Sequence, residues 1–251
     1  FLCRGNLTPA VMKDLEQLRH LKKLGVSTPP LTNDTMKSVA KLSKLEELEI
    51  WGVQLFNKGT EEVLNDEGIK ALAPLKHLRV LDLNTPGTNE VVGTGLKALP
   101  HLRESLQELA LGSTTAAGLE AIAEMKNLRK FDLGISPPFG ETECKLLARL
   151  TKLQSLSLRF VNMSDRGWRH LESLQNLEEL ELRDAEIGAV GLEHIQRLPK
   201  LKTLQLHCRE IDVASWKRFV LPPGLQTFEI HFGRSKVSAK SVETLIQKVA
   251  R

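Results

Sequence analysis

The feature that most narrows the folds open to this chain is a short apolar pattern that returns in fixed register. "KLEELEI" at residues 44–50 has eight relatives: "HLKKLGV", "HLRVLDL", "SLQELAL", "NLRKFDL", "KLQSLSL", "NLEELEL", "KLKTLQL" and "GLQTFEI". Their first leucines are Leu21, Leu45, Leu78, Leu106, Leu128, Leu153, Leu177, Leu201 and Leu225, so successive spacings run 24, 33, 28, 22, 25, 24, 24 and 24. The period is 24, with two insertions toward the N-terminal end. Inside each copy apolar and polar residues alternate, which is the pattern of a strand buried on one face. A unit this short cannot bury that face alone, so it needs neighbours of its own kind on either side.

Alignment on the register leucine exposes a helical half in each unit. Nine residues upstream stand Met12, Met36, Ile69, Leu119, Cys144, Trp168, Leu192 and Trp216; six upstream stand Leu15, Val39, Leu72, Ile122, Leu147, Leu171, Ile195 and Phe219. A third apolar column, three upstream, contains Leu18, Leu42, Leu75, Met125, Leu150, Leu174 and Leu198. Three apolar residues over two turns make one buried helix stripe. Thr32, Asn65, Ser164 and Asp212, thirteen upstream, fall where a cap must satisfy the first amides of that helix. Gly68, Gly118, Gly167 and Gly191 follow, fitting close approach between neighbouring helices. The unit is strand, loop, helix.

The recurring "LEELEI", "LRVLDL", "LQSLSL", "LEELEL" and "LKTLQL" resemble the leucine-rich repeat family over essentially the whole chain, Leu7 to Ala250. The helical halves, such as "LNDEGIKALAPLKHL" and "MSDRGWRHLESLQNL", look like the ribonuclease-inhibitor-type and F-box-associated repeats. The family's asparagine after the strand is replaced by Val53, Val161 and Ala185. The resemblance implies an α/β leucine-rich-repeat solenoid, a curved right-handed superhelix with about nine parallel strands on the concave face and helices on the convex face. We expect one domain over residues 1–251: an N-terminal capping helix within 1–20, with Thr8 as cap and Pro9 in its first turn, repeats over 21–230, and a C-terminal capping helix within 235–251. By the same resemblance such repeats act as non-catalytic scaffolds for protein binding, including the target-selecting parts of ubiquitin ligases, pathogen effectors and immune receptors.

Composition limits the partners. The 251 residues are 41% hydrophobic and 26% charged, and no apolar run approaches a membrane span. Thirty-five basic against 31 acidic residues give +4, far from the basic excess of a dedicated nucleic-acid binder. Three scattered cysteines, Cys3, Cys144 and Cys208, do not make a disulfide framework and favour a reducing, intracellular and cytoplasmic setting. The start at Phe1 rather than Met leaves room for a removed leader.

The candidate site is the open face of the sheet. If Leu45, Leu48 and Ile50 are buried, Glu47, Glu49 and Trp51 point the other way. Six residues after the register leucine the face reads Ser27, Trp51, Asn84, Gly112, Gly134, Arg159, Arg183, His207, His231. Two residues earlier it reads Gly25, Glu49, Asp82, Ala110, Asp132, Ser157, Glu181, Gln205, Glu229. Either these charges pair diagonally into a solvated face, or they divide it electrostatically. On the second view Glu46, Glu47, Glu49 and Asp82 surround Trp51 with little basic compensation, and Arg159, Arg183, His207 and His231 form a ladder beside Phe160 and Phe232. An exposed tryptophan next to the insertion "QLFNKGTEEV" suits a binding hot spot. Glu47 with Glu49, and Glu179 with Glu181, sit roughly 6.5 to 7 Å apart along a strand, which overlaps glycosidase pairs, but nothing in the sequence desolvates them, so no catalytic role is expected. His207, His231 and Cys208 lack a clear fourth ligand, so neither metal nor cofactor is expected. Sequons at Asn6, Asn33 and Asn162 arise largely from the cap segments. The partner expected is another protein bound through the concave sheet and N-terminal insertion, with no membrane and a monomeric chain. The rival is a subunit of a nucleic-acid-containing or organellar complex that uses the basic ladder on phosphates. An enzyme is a distant third.

Overall fold

Alternation and the helix stripe translate directly into elements. The computed structural model describes residues 2–3, 9–26, 32–50, 64–84, 91–135, 139–160, 163–208 and 219–232. Trp51 with its insertion, Trp216, the expected caps Thr8 and Asp212, and the expected closing helix within 235–251 lie outside the described residues. The chain divides into two compact units, Phe1–Ile135 and Ser136–Arg251.

Unit 1 contains strands β1 (Leu2–Cys3), β2 (Lys23–Val26), β3 (Glu47–Ile50), β4 (Val80–Leu83), β5 (Glu108–Ser113) and β6 (Lys130–Ile135). They pair in chain order and all in parallel. Between them run α1 (Pro9–Leu15), α2 (Asn33–Val39), α3 (Asp66–Lys70), a 3₁₀ helix (Thr94–Ala98), α4 (Leu102–Ser105) and α5 (Ala116–Ile122). Unit 2 contains α6 (Glu141–Leu147), β7 (Ser155–Arg159), α7 (Asp165–Trp168) continuing into a 3₁₀ turn (Arg169–Ser173), β8 (Glu179–Ala185), α8 (Ala189–Ile195), β9 (Thr203–Cys208) and β10 (Thr227–Phe232). Here too adjacent strands are parallel. Each strand from β2 to β10 begins two residues after its register leucine. Strand β1 is an addition that no repeat of the motif announces.

Parallel pairing in constant register stacks like residues on like residues, which is why the apolar columns close into one core per unit. Leu45, Leu48, Ile50, Leu78, Leu128, Phe131, Leu153, Trp168, Leu171 and Leu204 are all essentially inaccessible. Among the described residues, the register leucines Leu21 and Leu225 are only half-buried, and Leu18 is 41% exposed. It lies beyond the end of α1 in the outermost unit, where a repeat has described neighbours on one side only. The helix caps follow the expected column. Thr32 accepts from the Thr35 amide at 3.2 Å, Asn65 from Glu67 at 2.9 Å and Ser164 from Gly167 at 3.2 Å. Thr115 caps α5 from the same column, accepting from the Gly118 amide at 3.2 Å. The insertion between Leu78 and Leu106 replaces the regular helix by the 3₁₀ turn and α4, because Lys97 and Pro100 occupy the places of the apolar helix positions.

Leu171 is fully buried in the middle of a core column. Its replacement by alanine is expected to cost ~2–5 kcal/mol through the cavity left behind, whereas Glu179→Ala, at an exposed strand position, should stay within ~0.5 kcal/mol. Urea unfolding midpoints of the two variants check this; equal shifts would mean that the buried and open faces are misassigned.

Candidate recognition surface

Strand alternation sends every second side chain of each unit to the face opposite the core, and register decides what lies beside what. In unit 1, Glu49 on β3 is the partner of Asp82 on β4, Asp82 of Ala110 on β5, and Ala110 of Asp132 on β6. The next column toward the strand starts reads Lys23, Glu47, Val80, Glu108, Lys130. The small Ala110 between taller side chains leaves an open depression of about 160 Å³ lined by Glu49, Asp82, Glu108, Asp132 and Lys130 among others.

The acid at this end is less naked than its sequence neighbourhood implies. Lys22 pairs with Glu46 at 2.8 Å and Lys23 with Glu47 at 2.7 Å, while Arg79 approaches Glu46 at 3.2 Å and Glu47 at 3.9 Å. Parallel register sets the bases of β2 and the approach to β4 on either side of β3, and the Lys22 hydrogen bond holds the Glu46 carboxyl below the usual range. The expectation of little basic compensation therefore fails for Glu46 and Glu47. It holds better for Glu49. Burial pushes its carboxyl up first, and repulsion from Asp82, Glu47 and Glu108 adds to that against the weaker pull of Lys23. The expectation that nothing desolvates these carboxylates is corrected at this residue.

Asn84 ties the depression together. Its backbone amide donates to Asp82 Oδ1 at 2.9 Å, and its side-chain Nδ2 reaches over β5 to Asp132 Oδ2 at 3.1 Å. Gly134 has to stay bare beside this bridge, since a Cβ there would lie 2.7 Å from the Gly112 carbonyl oxygen and 3.2 Å from Asn84 Oδ1. Asp132 Oδ1 is buried and has no hydrogen-bond partner. Glu108, Asp132 and Asn84 were not among the expected site residues, although the same alignment, taken two and four to six residues past the leucine, contains them.

In unit 2 the ladder forms as expected: Arg159 lies beside Arg183, Arg183 beside His207, and His207 beside His231. The two imidazoles stack, with centroids 4.3 Å apart and planes 14° from parallel. Its charge, however, is partly neutralised. Arg183 Nε donates to Glu181 Oε1, and Glu181 also accepts from Ser157 Oγ at 3.0 Å and lies 4.0 Å from His207 Nε2. Burial pushes Glu181 up, but the hydrogen bonds from Arg183 and Ser157 and the nearby positive groups outweigh it, leaving its carboxyl low. Glu229 accepts from Gln205 at 3.0 Å and stands 3.8 Å from His231. Both readings of the charge columns are thus realised in part, with diagonal pairing around Arg183 and an unneutralised end at Arg159. Arg159 makes no ion pair among the described residues, and its Nε is buried without a hydrogen-bond partner.

Phe160 follows directly. It is 44% exposed and has a left-handed backbone, φ 53°, with its amide donating to the Arg183 carbonyl at 2.8 Å. Asp184, at the same place in the next repeat, shares that conformation at φ 51°. Aspartate tolerates it; a bulky aromatic pays on the order of 1–3 kcal/mol. The side chains of Phe232 and Cys208, like all of Trp51, lie outside the described residues. Among the described residues no group of three His, Cys, Asp or Glu is arranged to hold a metal ion, and no helix is long and apolar enough to cross a membrane.

Histidine 207 carries a pH dependence whose sign follows from its surroundings. Burial lowers its pKa first, and the stacked His231 and the Arg183 guanidinium lower it further, against the opposing pull of Glu181 and Asp184. A histidine with a depressed folded pKa favours the neutral form, so its contribution to stability is present above the unfolded value of ~6.5 and is lost as pH falls through the folded value. The isolated chain is expected to lose stability as pH drops below ~6.5, and His207→Gln should flatten part of that slope; an unchanged slope by chemical denaturation would contradict it.

No family model matches the sequence, and no curated protein matches it. Among solved structures, that of the TLR13–ssRNA13 complex aligns with a TM-score of 0.52 at 20% identity, covering 92% of this chain and 39% of that one. An internalin (InlF) from Listeria monocytogenes strain 4b F2365 aligns with a TM-score of 0.49 at 18% identity, covering 94% of this chain and 73% of that one. The chain spans about two fifths of the TLR13 chain it matches. At this identity the likeness is one of fold, the leucine-rich-repeat solenoid, whose parallel strands and intervening helices both units display.

Proposed function

We propose that the chain is a recognition module of the helix-rich, ribonuclease-inhibitor-like kind, whose sheet face binds another protein without catalysis and selects targets for a larger protein or complex. The observation that supports it most is the shape and lining of that face. Its depression of about 160 Å³ is open and edged by charged side chains, whereas small-molecule sites are enclosed, mostly apolar and roughly 300–1,000 Å³. Rows of charged side chains at strand spacing, ~4.8 Å, match an extended macromolecular surface better than a substrate. Glu49 and Asp82 supply that face in unit 1, and Arg159, Phe160, Arg183, His207 and His231 supply it in unit 2; Trp51 and its insertion lie outside the described residues and join the proposal on the sequence alone.

Affinity capture from the native source tests the reading. Wild-type chain is compared with Glu49→Lys/Asp82→Lys, with Trp51→Ala, and with Glu193→Lys on an exposed helix position. The face variants should lose proteins that the wild type and the helix variant both retain. Identical captures by all four would refute it. A partner whose affinity falls log-linearly with salt and that absorbs as nucleic acid would instead support phosphate binding on the ladder.

A further inference from the structure

We propose that Arg159 and Phe160 form an anchoring corner on unit 2 that takes an acidic side chain of a protein partner with an apolar residue beside it. This rests on the recognition reading above and names the chemistry of the partner at one place. Two adjacent repeats provide an internal comparison. On β8 the residue two before Arg183 is Glu181, and the guanidinium is paired to it. On β7 the residue two before Arg159 is Ser157, whose hydroxyl donates sideways to Glu181 at 3.0 Å and leaves Arg159 without a carboxylate. The same position therefore carries a satisfied arginine in one repeat and an unsatisfied one in the next, with Nε already buried and no acceptor for it. A guanidinium offers five donors in a planar fork and binds carboxylates in two-point fashion, so an acid supplied from outside, meeting the half-buried Arg159 through the rest of its fork, would give it the carboxylate that Glu181 gives Arg183.

The neighbouring phenyl ring is the second, independent observation. Phe160 holds the left-handed backbone that Asp184 shares at the same place in the next repeat, and it is 44% exposed, so a bulky aromatic bears there a strain that aspartate would not. Strained backbone at an exposed residue concentrates at binding sites. The carboxylate on the adjoining strand does not compete for Arg159, since Glu181 is engaged by Arg183 and Ser157. The matching ligand is a segment with Asp or Glu adjacent to Leu, Ile or Phe.

The test uses fluorescein-labelled decapeptides on the full chain, with a central Glu-Leu, Asp-Phe or Glu-Ile pair, against controls with Gln for the acid or Ser for the apolar residue, and with oligo(dT) and inorganic phosphate as phosphate probes. Anisotropy should show binding of the acid-apolar peptides that both controls weaken. Arg159→Gln should weaken it by about tenfold or more, as for a hot-spot residue, with Arg183→Gln doing less. Phe160→Gly should raise the melting temperature by relieving the left-handed strain while lowering affinity, a divergence that a purely structural role would not give. The proposal is overturned if no acid-apolar peptide binds, if Arg159→Gln and Phe160→Gly leave binding unchanged, or if oligo(dT) or phosphate competes as well as the peptides do. Failure here with partner capture still lost in Glu49→Lys/Asp82→Lys would remove this corner alone; capture indifferent to every face variant would remove the recognition reading itself.

Discussion

Trp168→Ala is expected to destabilise the chain by ~3–5 kcal/mol, the usual cost of emptying a fully buried aromatic site. Trp168 is 1% exposed on α7, and the next helix approaches it through glycine: a Cβ on Gly191 would lie 2.9 Å from Trp168 Cε2 and 3.0 Å from Ile187 Cγ2. The two positions form a large–small pair, so their substitutions should not add. Gly191→Ala alone should cost ~1–3 kcal/mol by overpacking. In the Trp168→Ala background that cost should shrink or change sign, because the new methyl enters the space the indole left. A double-mutant cycle from urea unfolding with a coupling of ~0.5 kcal/mol or more confirms the contact, and strict additivity refutes it.

Gly118→Ala should be comparably severe for a different reason. Its Cβ would fall 1.9 Å from the Val92 carbonyl oxygen and 2.6 Å from Thr114 Oγ1, so the backbone of the preceding connection has to move. That carbonyl already accepts from Thr114 Oγ1 at 2.9 Å and from the Thr115 amide at 3.4 Å. The substitution thus disturbs two hydrogen bonds and the cap that Thr115 provides for α5, and a loss of ~2–4 kcal/mol follows from overpacking combined with a displaced cap. Thr115→Ala should cost only ~1 kcal/mol. A Gly118→Ala chain melting within a degree or two of wild type would show that α5 can slide away freely.

Much of this molecule was legible because repetition turns one local pattern into a register. Once Leu45, Leu48 and Ile50 were assigned inward, the strand starts, the cap column with Thr32, Asn65 and Ser164, and the adjacency of Arg159, Arg183, His207 and His231 all followed. What escaped depends on side chains reaching out of their own column. Lys22, Lys23 and Arg79 neutralise Glu46 and Glu47 from neighbouring strands, and Asn84 bridges to Asp132 over the strand between them, beside a Gly134 that has no room for a Cβ. Burial of Glu49 could not be inferred either, since alternation places it on the open side and says nothing of how deep the floor beside Ala110 is. The left-handed Phe160 has no sequence signature at all, because glycine, asparagine or aspartate would be the ordinary residues for that backbone.

Pairing each strand with the next in the chain also sets how the protein reaches its native state. Register partners within a unit are 22 to 33 residues apart, as between Gly25 and Glu49 or Glu49 and Asp82. Loop closure is then met in small, nearly equal steps rather than in one long-range search, and low contact order favours fast folding for a sheet. A front can start in any well-packed repeat and advance in either direction. Unfolding should correspondingly begin at the outer repeats, so among the described strands amide exchange is expected to be fastest in β1 and β10 and slowest in β4, β5 and β8, grading along each unit instead of switching as a block.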